Sequence, residues 1–211
     1  MNILFGGLPE EVEIHGEQIP INSDFRTGIL FEEMVLDNSL SDEERIETAL
    51  RLYFGDEVQF IGASAIQEAI SAILWFYRCG DEAPDEKDKN KAKPPVFSYE
   101  HDAPHIYEAF LSAFKIDLTH EKLHWWQFRA LFGSLPEDCM FMKIVGYRAM
   151  KIPAKMPKEQ KEFYQKMKKL HELPLPKEEQ QLNKDLIQAL TTGEGLQDLL
   201  GLKTAEESNN Q

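Results

Sequence analysis

The sequence predicts a mainly α-helical protein: a multi-helix globular domain with a short N-terminal β-hairpin and a helical C-terminal extension. Three observations predict it. Apolar residues recur at i, i+3 and i+4 in segment after segment, most clearly between Ser64 and Arg78. Apolar and polar residues alternate near the start, around Val12-Glu13-Ile14 and Ile19 to Ile21. One string, His124-Trp125-Trp126-Gln127-Phe128-Arg129, is apolar on almost every side of a helical wheel and so belongs in a core.

Each element follows in order. His15-Gly16-Glu17 supplies the turn of the hairpin, which must lean on helices to be stable. A first helix opens at Ser23-Asp24 and runs to Asn38, with Phe25, Ile29, Phe31, Met34, Val35 and Leu36 as its apolar surface. Ser41-Asp42-Glu43-Glu44 is a capping box that opens a second helix, with Ile46, Ala49, Leu50 and Tyr53 on one face. The third helix, Ser64 to Arg78, turns Ile66, Ala69, Ile70, Ile73, Leu74 and Tyr77 inward. Trp75 falls opposite that stripe, so it must meet a second surface or be exposed.

The first 80 residues form one section, and a charged, Pro-flanked linker or loop covers 81–97. Residues 98–150 are an aromatic-rich helical core that packs with 1–80 as one domain. There Asp102-Ala103-Pro104 suits a helix start, with Ile106, Ala109 and Phe110 inward. Thr119 opens the aromatic helix, which ends before Gly133, and Pro136-Glu137 opens the next, with Phe141, Ile144 and Val145 inward. C-terminal helices fill 151–190: a lysine-rich one from Lys158 to Leu170 and a last one from Lys177 to Leu190. A frayed tail covers 191–211, apart from the apolar piece Leu196 to Leu202.

Charge narrows the function classes. The net charge is −14, and residues 1–80 hold 15 acids against 4 bases. Such a surface repels a phosphate backbone, so nucleic acid is not an expected partner. It favours solubility and steers a basic partner. No apolar run is long enough to cross a membrane, and the first residues lack a basic, then apolar, signal sequence. Cys79 and Cys139 form no paired motif and read as free thiols.

One motif has catalytic form. His120-Glu121-Lys122-Leu123-His124 matches HExxH, in which two histidines one helical turn apart share a zinc ion and the glutamate serves as base. A zinc-dependent peptidase also needs a third ligand. Gln127 and Ala130 stand where one extended pattern needs Gly and His, and Glu137 and Asp138 come too soon for the other. His120 and His124 are therefore weak metal candidates, no cofactor is expected, and the chain is read as a non-enzyme. The aromatic helix offers core residues and candidate partner contacts instead: Trp125, Trp126, Phe128 and Arg129, together with Trp75.

Several strings together carry a resemblance. Ile19-Pro20-Ile21-Asn22-Ser23-Asp24-Phe25-Arg26, Tyr99-Glu100-His101-Asp102-Ala103, His124-Trp125-Trp126-Gln127-Phe128-Arg129-Ala130-Leu131 and Tyr147-Arg148 resemble a bacteriophage protein family named for gene product fifteen. The resemblance spans residues 10–170. It implies a gene in the tail module of a long-tailed phage or prophage, between the tail-tube and tape-measure genes. Proteins from that position act as tail assembly chaperones in the host cytoplasm, shielding the helical tape-measure protein until the tube polymerises. The implied partners are that protein and other tail proteins, with self-association into a homo-oligomer as a further option. A structural component of the finished tail is the alternative. The family supplies no catalytic residues.

Overall fold

The structure is a computed structural model that describes residues 3–81 and 95–174. Met1–His171 form one compact unit and Glu172–Gln211 a second. The expected linker falls mostly outside the described residues, as do the helix expected at 177–190 and the apolar piece at 196–202.

After a four-residue helix α1 (Ile3–Gly6), strands β1 (Glu11–Ile14) and β2 (Glu17–Pro20) pair antiparallel, with Val12 opposite Ile19 and Ile14 opposite Glu17. His15 and Gly16 both take positive φ, the geometry of a type I′ two-residue turn. Val12 and Ile14 point into the core while Glu11 and Glu13 face out. The alternation in the sequence is thus the two faces of the hairpin.

Helix α2 (Phe25–Leu36) is capped by Asp24. Helix α3 (Asp42–Phe54) begins with the complete Ser41–Glu44 capping box. Helix α4 (Ala63–Tyr77) buries Ala69, Ile73 and Phe76. It ends in a Schellman motif: Gly80 N–H donates to the carbonyl of Trp75 and Cys79 N–H to that of Phe76, with Cys79 left-handed at φ 59°. Val35, Leu36, Ile46 and Leu74, expected on apolar faces, are exposed. The core turns on aromatic residues and reaches only part of each stripe.

Helix α5 (Tyr99–Phe114) is capped by Ser98, not Asp102. Asp102 lies in the first turn and points inward, where it accepts from the Ser98 N–H at 3.0 Å. Pro104 is therefore a second-turn residue, and lacking an N–H it leaves the Glu100 carbonyl without its helical donor. Helix α6 (Trp125–Gly133) is nine residues long and is capped by His124, five residues beyond the expected opening at Thr119. Thr119 belongs instead to a turn built on Asp117. Helix α7 (Met140–Ala149) begins after Cys139, three residues later than Pro136-Glu137 suggests, and buries Phe141 and Ile144. Helix α8 (Lys158–Leu170) matches the sequence reading and buries no residue. Among the described residues there are eight helices and one hairpin, a mainly α fold with its strands at the N-terminus.

Phe128 sits at the centre of the core. It stacks on Phe25 at 4.8 Å and on Phe110 at 5.1 Å, and meets Trp125 and Phe132 at 5.9 and 5.7 Å. Such offset and stacked pairs each add about 0.5–1.5 kcal/mol beyond burial. A short helix can organise the whole core because its rings reach α2, α4 and α5 at once.

Candidate docking cleft

The two adjacent tryptophans of α6 point to different surfaces, yet both end on the same helix. Trp125 Nε1–H donates to the Tyr77 carbonyl at 2.8 Å, and Trp126 Nε1–H to the Phe76 carbonyl at 2.7 Å. The final carbonyls of a helix have no donors of their own. Trp125 supplies one to Tyr77 and Trp126 adds a second to Phe76 beside the Cys79 N–H, so the α6 tryptophans fasten the C-terminal turn of α4. Trp125 is fully buried and stacks on Tyr77 at 5.3 Å. Trp126 is buried too and meets Trp75 edge-on at 5.5 Å.

Arg129, from the same string, is exposed, with its guanidinium 5.5 Å from the centroid of the Trp125 ring. It lies by a half-buried polar edge of the core, where Tyr77 Oη–H donates to Glu32 at 2.5 Å. Burial, then the Glu32 bond and charge, push the Tyr77 hydroxyl well above its ordinary value, and Arg129 opposes them. Burial likewise pushes Tyr99 up to about 12, with the charge of Glu32 adding to it. Both phenols stay protonated at any ordinary pH.

The HExxH residues do not adopt the helical arrangement that the motif's chemistry needs. The motif lies in a turn and an extended segment, so its histidines do not share a helical face. His120 Nδ1 bonds Asp117 Oδ2 at 3.0 Å, in a knot where the Thr119 hydroxyl and N–H bring Asp117 down to about 2. His124 uses both ring nitrogens: Nδ1 accepts from the Trp126 N–H at 3.0 Å and Nε2–H donates to the Pro9 carbonyl at 2.9 Å. A carbonyl only accepts and an N–H only donates, so the tautomer is fixed as Nε2–H. Among the described residues no group of three potential ligands converges.

Trp75 marks a site of another kind. Its ring has two surroundings, as its place opposite the buried stripe requires: Trp126 on one side and an open cleft of about 860 Å³ on the other. The cleft runs between the hairpin side and α4. Leu8, Val12, Ala72 and Trp75 supply apolar lining, and Glu10, Glu11, Glu13 and Glu68 carry its negative charge. Glu68 is engaged with His15, whose backbone N–H and ring Nε2 reach its two oxygens at 2.9 and 3.2 Å. Among the described residues no lysine or arginine lines the cleft.

Of the five candidate contact residues, Trp75 alone lines this cleft, and Trp126 packs against it from behind, while Trp125 and Phe128 belong to the core. The hairpin glutamates went unnoticed as a site because a lone acidic strand face reads as ordinary solvated surface. Their signal was the acidic excess of the first 80 residues, set beside a tryptophan on the wrong side of its helix.

No curated protein and no solved structure matches the chain. The model of one family, the Bacteriophage Gp15 protein, matches residues 4–173. That match takes in the hairpin, the aromatic helix, the cleft and α8. It covers most of the 211 residues, and the chain belongs to the Bacteriophage Gp15 protein family.

Proposed function

We propose that this phage-family protein is a non-catalytic tail assembly chaperone that binds the tape-measure protein in the host cytoplasm during tail morphogenesis. The observation that supports it most is the open cleft at Trp75, a concave surface with apolar lining, in a protein whose His124 is spent on structure. A tape-measure protein is a long run of amphipathic helices, which aggregate through their apolar faces unless these are covered. A helix laid in an apolar groove covers them, and the acidic surface keeps the complex soluble. Modest contacts repeated over many copies keep release possible. No helix among the described residues is long and apolar enough to cross a membrane.

The test is co-expression with the tape-measure protein of the same phage. Soluble tape measure should increase and co-purify with this chain. Unchanged solubility with no co-purification overturns the proposal. Mass spectrometry of purified particles gives the second reading: a chaperone is absent, whereas stoichiometric retention assigns the chain to the finished tail.

A further inference from the structure

We infer that the cleft beside Trp75 takes a basic amphipathic helix of a partner protein, laid along α4. The inference rests on the proposed binding role only for the identity of the chain that carries the helix.

The shape favours a helix. Glu68, Ser71, Ala72 and Trp75 line the cleft at positions i, i+3, i+4 and i+7 of α4. That spacing is one continuous stripe of a helix surface, the unit that packs against a second helix. Small side chains at its middle, Ser71 and Ala72, let a second backbone approach closely. Trp75 at its end offers a flat apolar ring held from behind by Trp126 at 5.5 Å. Leu8 and Val12 complete the apolar lining from the hairpin side. Gly6 also lines the cleft, and its chain neighbour Phe5 is 89% exposed.

The charge selects the kind of helix. Glu10, Glu11 and Glu13 form no ion pair with another described residue. With Glu68 of α4 they give the cleft lining an uncompensated negative charge. A helix with leucine-like residues on one face and lysine or arginine flanking it meets both features. The same carboxylates repel acidic helices, anionic lipid and phosphate.

The experiment uses the full chain and a labelled amphipathic peptide of leucine and lysine, about eighteen residues long so that it can hold a helix. Binding is read by fluorescence anisotropy at low and high salt. The variant E10Q/E11Q/E13Q should bind about tenfold more weakly, since three exposed charge pairs are removed. Ser71→Trp, an exposed substitution that fills the cleft, should weaken binding at least as much. E43Q/E108Q/E137Q changes the same net charge away from the cleft and should bind within about twofold of the parent. Circular dichroism checks that each variant is folded.

Equal losses in the cleft and control variants would mean diffuse charge attraction and would overturn the inference. So would unchanged binding by Ser71→Trp, or equally tight binding of a leucine and glutamate peptide. Sedimentation showing a self-associated parent and a monomeric Ser71→Trp would assign the cleft to a second copy, against the inference. Tape-measure co-purification that survives both cleft variants would leave the proposed function standing and remove this site from it.

Discussion

Asp24 and His124 face each other across an isolated antiparallel bridge, and each caps the helix that begins on its own strand. Phe25 N–H donates to the Leu123 carbonyl at 3.0 Å, and Trp125 N–H to the Ser23 carbonyl at 2.7 Å. Asp24 accepts from the Arg26 N–H at 2.9 Å, and His124 from that of Trp126 at 3.0 Å. Two helix starts a hundred residues apart are thereby locked in register. Arg26 strengthens the joint: it pairs with Asp24 and donates to the Leu118 carbonyl at 2.6 Å.

His124 should accordingly matter for stability. His124→Ala removes both the cap and the bond to Pro9 and should cost about 2 kcal/mol. His124→Asn keeps a capping oxygen and should recover about half of that. Urea denaturation of the three proteins ranks them. Equal stability of parent and His124→Ala would show that the joint is held elsewhere.

Gly28 sits where α2 crosses Trp125. A Cβ there would lie 2.3 Å from Trp125 Cε3 and 2.4 Å from Cδ2. The indole cannot step aside, because it is stacked on Tyr77 and bonded to its carbonyl. Gly28→Ala gains about 1 kcal/mol of helix propensity, yet overpacking at this contact costs about 3 kcal/mol. The net expectation is a loss of about 2 kcal/mol and a lower melting temperature. A neutral or stabilising Gly28→Ala would mean that α2 and α6 separate more readily than their contacts indicate.

The buried ion pair predicts a pH dependence. Arg148 Nη1 and Nη2 reach the two oxygens of Asp102 at 2.6 and 2.9 Å, and the same guanidinium donates to the carbonyls of Val96 and His171. Burial raises the Asp102 carboxyl, but the Arg148 and Ser98 hydrogen bonds and the arginine charge outweigh it and hold it below its ordinary value. A carboxylate lowered in the folded state stabilises the fold above its unfolded pKa of about 3.9. That contribution is lost as pH falls through the folded value. Asp102→Asn should therefore be clearly destabilised at pH 7, and the gap to the parent should close as pH falls below the ordinary carboxylate range and the parent's own carboxylate protonates. Arg148→Ala leaves Asp102 buried without its partner and should cost about 3–5 kcal/mol at pH 7. A pH-independent gap for Asp102→Asn would contradict the ion-pair account.

Which of these features the sequence disclosed depends on how far apart their parts lie. The Ser41–Glu44 box is local: both halves lie within four residues, and the structure reproduces them. Trp75 was readable as lying off the buried stripe, to meet a second surface or be exposed, because helical phase alone places it away from Ala69 and Ile73. The start of α6 was not readable. Thr119 is an ordinary capping residue and histidine is a poor one, so the cap at His124 becomes apparent only when Ser23 and Pro9 stand beside it. Asp102 misled for a related reason: its position suits a cap, and its true partner is 46 residues away. The cleft combines a hairpin face with a helix stripe, and no local pattern joins Glu13 to Glu68.

The HExxH string gives a last prediction, which separates spacing from geometry. Zinc sharing requires two histidines on one helical face with free ring nitrogens and a third ligand nearby. Here His120 is exposed and tied to Asp117, and His124 has both nitrogens bonded within the fold. To take up zinc, His124 would have to release the Trp126 N–H or the Pro9 carbonyl, which opens the cap of the helix that carries Phe128. Protein purified without added metal should therefore hold far less than one equivalent of zinc by elemental analysis. Adding zinc should leave the melting temperature unchanged, because a metal stabilises a fold only by binding it. His120→Ala should change neither result. Stoichiometric zinc that disappears in His120→Ala would show the pair ligating after all, and with it the helix start at His124 would have to give way.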